Sequence, residues 1–181
     1  MMSEYGVVLE SGAVRFERLL PGPIERVWAY LTEADKRATW FCGGETQGRE
    51  GGHIALFFKH SLITAEAPPE SHRKMNEEGA MMGGTITAYD PPRRLAFTWA
   101  GMGDPDSDVE FQLAEEGEKV RLVLTHRRLA TAERMANVSS GWHLHLGLLE
   151  DQLSGAAPRG FWSRHESLKA EYAARQAGTA V

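Results

Sequence analysis

The residues best equipped for chemistry in this chain are its histidines, and their spacing limits what they could do. His126 ends the run Leu122-Val123-Leu124-Thr125-His126, in which buried-type positions recur at every second residue. On a strand it shares a face with Leu122 and Leu124, because side chains two apart point the same way. A histidine at the end of an apolar face stands at the rim of whatever that face encloses. There it could give or take a proton, or anchor the polar end of a ligand. The alternative is a hydrogen-bonded core histidine, the usual state of a buried polar group. Tyr89 and His145 are weaker candidates of the same kind. Metal chemistry has less support. His143 and His145, two apart, diverge on a helix. His53 and His60, seven apart, fall on opposite faces of a strand. These spacings call for no metal and no cofactor. Cys42 is the single cysteine, which excludes an intrachain disulfide and a thiolate cluster. Beside Trp40 and Phe41 it reads as a small buried hydrophobe rather than a nucleophile. The sequence has no nucleophile elbow, phosphate-binding loop or dinucleotide fingerprint.

The chain that must position these residues has 181 of them, enough for one domain with a sizeable core. Its 42% hydrophobic content is ordinary for a globular protein. With 20 basic against 25 acidic residues the net charge is -5, which argues against a nucleic-acid surface. The pairs Arg93-Arg94 and Arg127-Arg128 read as solvated strand ends. No apolar run approaches the ~20 residues of a membrane span, and no signal-peptide core follows Met1. The expected compartment is therefore the cytoplasm.

Apolar periodicity sets out the elements. Residues 5–10 and 13–20 read as strands joined by Ser11-Gly12, a linker short enough for a tight hairpin. After Pro21-Gly22-Pro23, the residues Ile24, Val27, Trp28 and Leu31 fall on one face of a helix. A second short helix is expected over 33–39. Strands follow at 53–60 and 85–89, then around Leu95, Phe97 and Trp99, around Val109, Phe111 and Leu113, and around Val120, Leu122 and Leu124. Short turns between them predict an antiparallel meander with one face buried. The period then changes. Trp142, Leu146, Leu149 and Leu153 mark a long helix over 131–153, with Gly141 as a place for it to bend or divide and Gly155 as its left-handed cap. A last helix is expected over 158–176. The stretch 60–83, with Pro68-Pro69 and Met75, Met81 and Met82, reads as a long loop or lid.

One broad apolar helix face must lie across one concave sheet face, which predicts an α+β helix-grip fold: a curved antiparallel sheet wrapped around a long C-terminal helix, with two small helices after the first long strand. The ordered series of motifs sharpens this. Pro23-Ile24-Glu25-Arg26-Val27-Trp28, Trp40-Phe41, Gly84 followed by Asp90-Pro91-Pro92-Arg93-Arg94-Leu95, Phe97-Thr98-Trp99, Val109-Glu110-Phe111, the run ending at His126, and Gly141-Trp142 stand in the family's order. On these residues the chain resembles the START-like, or SRPBCC, superfamily, and within it the bacterial group named after the activator of the heat-shock-protein-ninety ATPase. That superfamily places lipid carriers, hormone receptors, polyketide cyclases and co-chaperone modules on one scaffold, so the resemblance implies a fold more than an activity.

The functional expectation is a cavity between sheet and helix, with Phe97, Trp99, Phe111, Leu113, Leu122, Leu124 and His126 facing Trp142 and Leu146. Five Trp and seven Met suit an adaptable apolar wall. Three classes follow. The leading one is a protein that binds an apolar or aromatic small molecule or a lipid. The second is a cyclase- or hydrolase-type enzyme using His126. The third is a protein-interaction module, the reading to which a chaperone partner, as the family's name implies, or a homodimer belongs.

Overall fold

The computed structural model describes residues 3–9, 12–101 and 104–179. Its elements are, in order, β1 (Val7–Leu9), β2 (Ala13–Pro21), α1 (Ile24–Thr32), α2 (Ala34–Arg37), β3 (His53–Phe58), α3 (Arg73–Glu77), β4 (Ala80–Asp90), β5 (Arg94–Gly101), β6 (Asp104–Glu116), β7 (Lys119–Arg127), α4 (Ala132–Ser154) and α5 (Trp162–Thr179). Seven strands form one antiparallel sheet in the order β1-β2-β7-β6-β5-β4-β3. The meander β3 to β7 is the predicted one, and β2 joins its free edge through pairs such as Phe16 with Leu124. Register shifts between Ile86 and Ala88, and between Trp99 and Gly101, break the regular pairing. Irregularities of this kind bend a strand and increase its twist, and a sheet must curve to grip a helix.

Alternation decides which side chains face inward. Phe97, Val109, Phe111, Leu113, Leu122 and Leu124 are all buried, while Gln112 and the Arg127 and Arg128 strand end are exposed. Arg127 pairs with Glu110 and Arg128 with Asp108. The stripe Ile24, Val27, Trp28 and Leu31 of α1 is buried as its spacing predicts. The Trp28 ring meets Tyr89 of β4 edge-on at 5.4 Å. Trp28→Ala should cost ~3 kcal/mol, the lower part of the range for an aromatic truncation, because the ring lies near the surface. Urea denaturation checks this; a loss below about 1 kcal/mol would mean that the site collapses around the smaller side chain.

Helix α4 crosses the sheet's concave face. Its Trp142 ring lies 5.8 Å from Trp99 of β5 and 5.7 Å from Phe111 of β6, and it hydrogen-bonds His126 of β7. Thr131 caps its start, its hydroxyl accepting the Arg134 N–H at 3.1 Å. Gly155 ends it with φ 70°, the left-handed cap that a glycine takes without a Cβ clash. Helix α5 packs on α4, where the Tyr172 hydroxyl lies 3.0 Å from His143 Nδ1 and accepts the Gly6 N–H at 2.9 Å.

Several local expectations change. The first strand is three residues rather than six. Of the expected strand and turn, Glu10 and Ser11 lie outside the described residues, and Tyr5 turns to pack on His143 and Tyr172 instead of pairing. Helix α2 is one turn, and β3 stops at Phe58. Helix α4 runs unbroken through Gly141. The stretch 60–83 is not a structureless loop: it holds 3₁₀ turns at His60–Leu62 and Glu70–His72, helix α3, and the first four residues of β4. The strand expected over 85–89 begins earlier, and β4 continues through Gly83 and Gly84. A Cβ on Gly84 would sit 1.6 Å from the Thr98 carbonyl oxygen, so here glycine permits strand approach instead of ending the strand.

Candidate ligand cavity

One end of the groove between α4 and the sheet is open space, a cavity of ≈ 270 Å³. Its sheet side is built where β5 ends, β6 begins and β7 ends, with Trp99, Ser107 and His126. Its helix side is the face of α4 that carries Val138, Gly141, Trp142 and His145. Phe41, Phe58, Met75 and Met82 complete the wall. Arg134 and the exposed Asn137 stand on the same helix face one to two turns earlier, at the mouth.

The aromatic rings brace one another. Trp99 stacks on His126 at 5.4 Å and on Phe58 at 5.6 Å. Trp142 stacks on Phe41 at 4.7 Å and meets Trp99 nearly perpendicularly. The polar edges of these rings are spent on protein partners. The Trp99 indole N–H donates to the Met82 sulfur at 3.2 Å, and the Trp142 N–H donates to His126 Nδ1 at 3.0 Å. Accepting at Nδ1 places the proton of the neutral His126 ring on Nε2, which donates to Ser107 Oγ at 2.8 Å. The Ser107 hydroxyl donates on to the Trp99 carbonyl at 3.4 Å. Burial, with the Arg134 charge adding to it, keeps the ring neutral and pushes its pKa down to about 3. His126 is thus a fixed link between α4, β6 and β7. A general base needs a nitrogen within reach of a substrate proton, and both of these nitrogens already serve the protein.

His145 is held in the same manner. Its Nδ1–H donates to the Trp40 carbonyl at 2.8 Å, leaving the lone pair on Nε2. Burial lowers its pKa to about 4. Behind it lies His60, whose ring centroid is 5.6 Å away and whose Nδ1 is buried with no hydrogen-bond partner among the described residues. His53 is exposed and His143 turns to Tyr172, so His53 and His60, and His143 and His145, stay apart as their spacings predict. Among the described residues no group of three or more His, Cys, Asp or Glu is placed to hold a metal ion. Cys42 is buried, and burial raises its thiol to about 12, far from a reactive thiolate.

Of the nine residues read from the sequence, Trp99, His126 and Trp142 stand on the cavity wall. Phe97, Phe111, Leu113, Leu122, Leu124 and Leu146 are buried in the core, away from the cavity wall. The five on the sheet face inward as their alternation predicts, and Leu146 lies on the buried side of α4, but all six are packed in the core instead of facing open space. Sequence reasoning did not include Ser107, Phe41, Phe58, Arg134 and Val138 in the wall. Trp40-Phe41 and Phe57-Phe58 were visible as aromatic pairs; nothing in the sequence around Ser107 marks it.

A curved antiparallel sheet gripping a long helix over a lateral cavity defines the START-like, or SRPBCC, class. Residues 21–154, well over half of the chain, match the family model described as activator of Hsp90 ATPase homolog 1-like protein, and the chain belongs to that family. Among solved structures it is similar to the protein encoded by gene BPP1335 of Bordetella parapertussis, with 46% identity, 93% of this chain and 88% of that one covered, and a TM-score of 0.80. It shares its fold with CalU16 of Micromonospora echinospora at 24% identity, covering 96% and 93% of the two chains with a TM-score of 0.68. No curated protein matches the chain. Among the described residues no helix is long and apolar enough to cross a membrane.

Proposed function

We propose that the protein binds one small, flat, largely apolar aromatic molecule in this cavity, in the cytoplasm, and acts as a binding or carrier protein. The observation that carries the reading is the wall itself. Trp99, Trp142, Phe41 and Phe58 form an aromatic lining whose indole N–H groups are held by Met82 and His126. Such a surface offers stacking and dispersion but few hydrogen bonds, which suits an aromatic ligand. Size narrows it further. A cavity of ≈ 270 Å³ lies just below the usual 300–1,000 Å³ of ligand pockets, so a molecule of roughly two fused rings fits and a two-chain lipid does not. The exposed large apolar side chains among the described residues, Val7, Leu19, Leu62 and Met81, come from four different elements, which gives an interaction module less support than the cavity gives binding.

The test is calorimetric titration with 2-naphthol, which should bind saturably with one site per chain. His126→Gln keeps a donor and an acceptor for Ser107 and Trp142. It should weaken binding by at most about tenfold, the worth of one neutral hydrogen bond. The same pair of proteins is then screened on aromatic and acyl ester substrates. A wild-type turnover that His126→Gln abolishes while the variant stays folded and binds normally would replace the carrier with an enzyme.

A further inference from the structure

Helix α4 contains two glycines in its interior, and the structure gives only one of them a packing reason. A Cβ on Gly147 would lie 2.8 Å from the Arg159 side chain and would have to push it aside. A Cβ on Gly141 would meet nothing within 4 Å. The backbone there is helical, with no positive φ that would demand glycine. A glycine inside a helix is less stable than alanine at the same place, and neither sterics nor backbone conformation asks for one at 141. What Gly141 faces is the cavity. Val138 lies one turn before it on the same face and His145 one turn after, with Trp142 beside it, and all of them line the space.

Resting on the binding function proposed above, we infer that Gly141 sets the size of the ligand. The space its missing side chain leaves is part of the binding volume, and an aromatic ring lies there directly against the backbone of α4. Glycine is the residue that permits such close approach. The ring then lies beside Trp142 and Trp99, which meet each other nearly perpendicularly, and its polar substituent points to the mouth, where Arg134 and Asn137 stand. The ligand class is accordingly a fused bicyclic aromatic with one polar group, and a side chain at position 141 would restrict the site to a single ring.

Gly141→Ala and Gly141→Leu test this in the full chain, with 2-naphthol and phenol as the two probes and thermal melting as a readout independent of ligand. The alanine variant should melt ~2–4 °C higher than the wild type, the shift expected of a small helix-propensity gain in a chain of this length. Its 2-naphthol affinity should fall, and in the leucine variant it should fall at least ~10-fold while phenol affinity changes much less. A folded leucine variant that binds 2-naphthol as the wild type does would overturn the inference and leave the binding function standing. An alanine variant that melts lower than the wild type would also overturn it, since the Cβ would then be meeting protein; this holds even if the leucine variant fails to fold. Uptake of neither probe by the wild type would overturn the binding function, and the role of Gly141 with it.

Discussion

Acidification from pH 7 to pH 5 should remove about 8 kcal/mol of folding stability, a large share of the roughly 5–15 kcal/mol that holds a typical domain. The cause is four histidines that are neutral when folded. Burial lowers His60 and His126 to about 3 and His143 and His145 to about 4, with neighbouring rings and cations adding to the effect. All four are almost fully buried, each below a tenth exposed. In the unfolded chain each takes up a proton near the ordinary 6.5. Between 6.5 and the folded values the unfolded state therefore binds more protons, so stability rises with pH across that window and is level above it. At its steepest the slope approaches ~1.4 kcal/mol per pH unit for each ring. Glu150, raised by burial despite the nearby Arg18, acts in the opposite sense and softens the fall. Urea denaturation at a series of pH values, followed by circular dichroism, measures the slope. His126→Gln should reduce it by about one quarter. Stability that stays level down to pH 5 would mean that these rings can be protonated in place.

The sequence shows most of the fold because most of its signals are local. Alternation at Leu95 to Trp99, Val109 to Leu113 and Val120 to Leu124 is enough to mark strands and their inner faces, and the change of period after His126 is enough to mark α4. The cavity is a different kind of fact. Alternation says which side chains point inward, but not how far along each strand the helix keeps touching the sheet. Leu122 and Leu124 are packed in the core, whereas His126, two residues further on the same face, stands on the cavity wall. That boundary depends on the crossing of helix and sheet and on the register shift between Trp99 and Gly101, neither of which any short window encodes. The wall also borrows Phe41 and Phe58 from segments far from α4 in sequence. A large residue at position 122, which alternation alone would place in the cavity, would instead overpack the core.

Arg37 shows the same limit at a single residue, and its removal should be among the costliest substitutions in the chain. In the tetrapeptide Ala34–Arg37 nothing separates this arginine from a solvated helix end, yet it is only 2% exposed. Its guanidinium donates to the carbonyls of Cys42 at 3.2 Å, Gly43 at 3.3 Å, Gly44 at 2.6 Å and Ala55 at 3.1 Å, and to the Thr46 hydroxyl at 2.6 Å. Carbonyl dipoles on residues 42–44 and on β3 thus solvate a buried charge and tie the chain after α2 to the edge of the sheet. Arg37→Met fills much of the volume but supplies no donor. A buried carbonyl left without a partner costs roughly 1–3 kcal/mol, so with several of them exposed to that fate the expected loss is ~5 kcal/mol. Arg37→Lys keeps the charge but not the planar fork, and it should recover only part. The damage extends to the cavity, because Phe41 lies in the segment that Arg37 fastens and its ring stacks on Trp142. At a temperature where Arg37→Lys remains folded, 2-naphthol should bind it more weakly than the wild type, although the lysine itself is not on the cavity wall. Urea denaturation and calorimetric titration together decide the matter. A loss under about 1 kcal/mol for Arg37→Met would mean that water takes over the carbonyls and that the 42–44 segment needs no clamp.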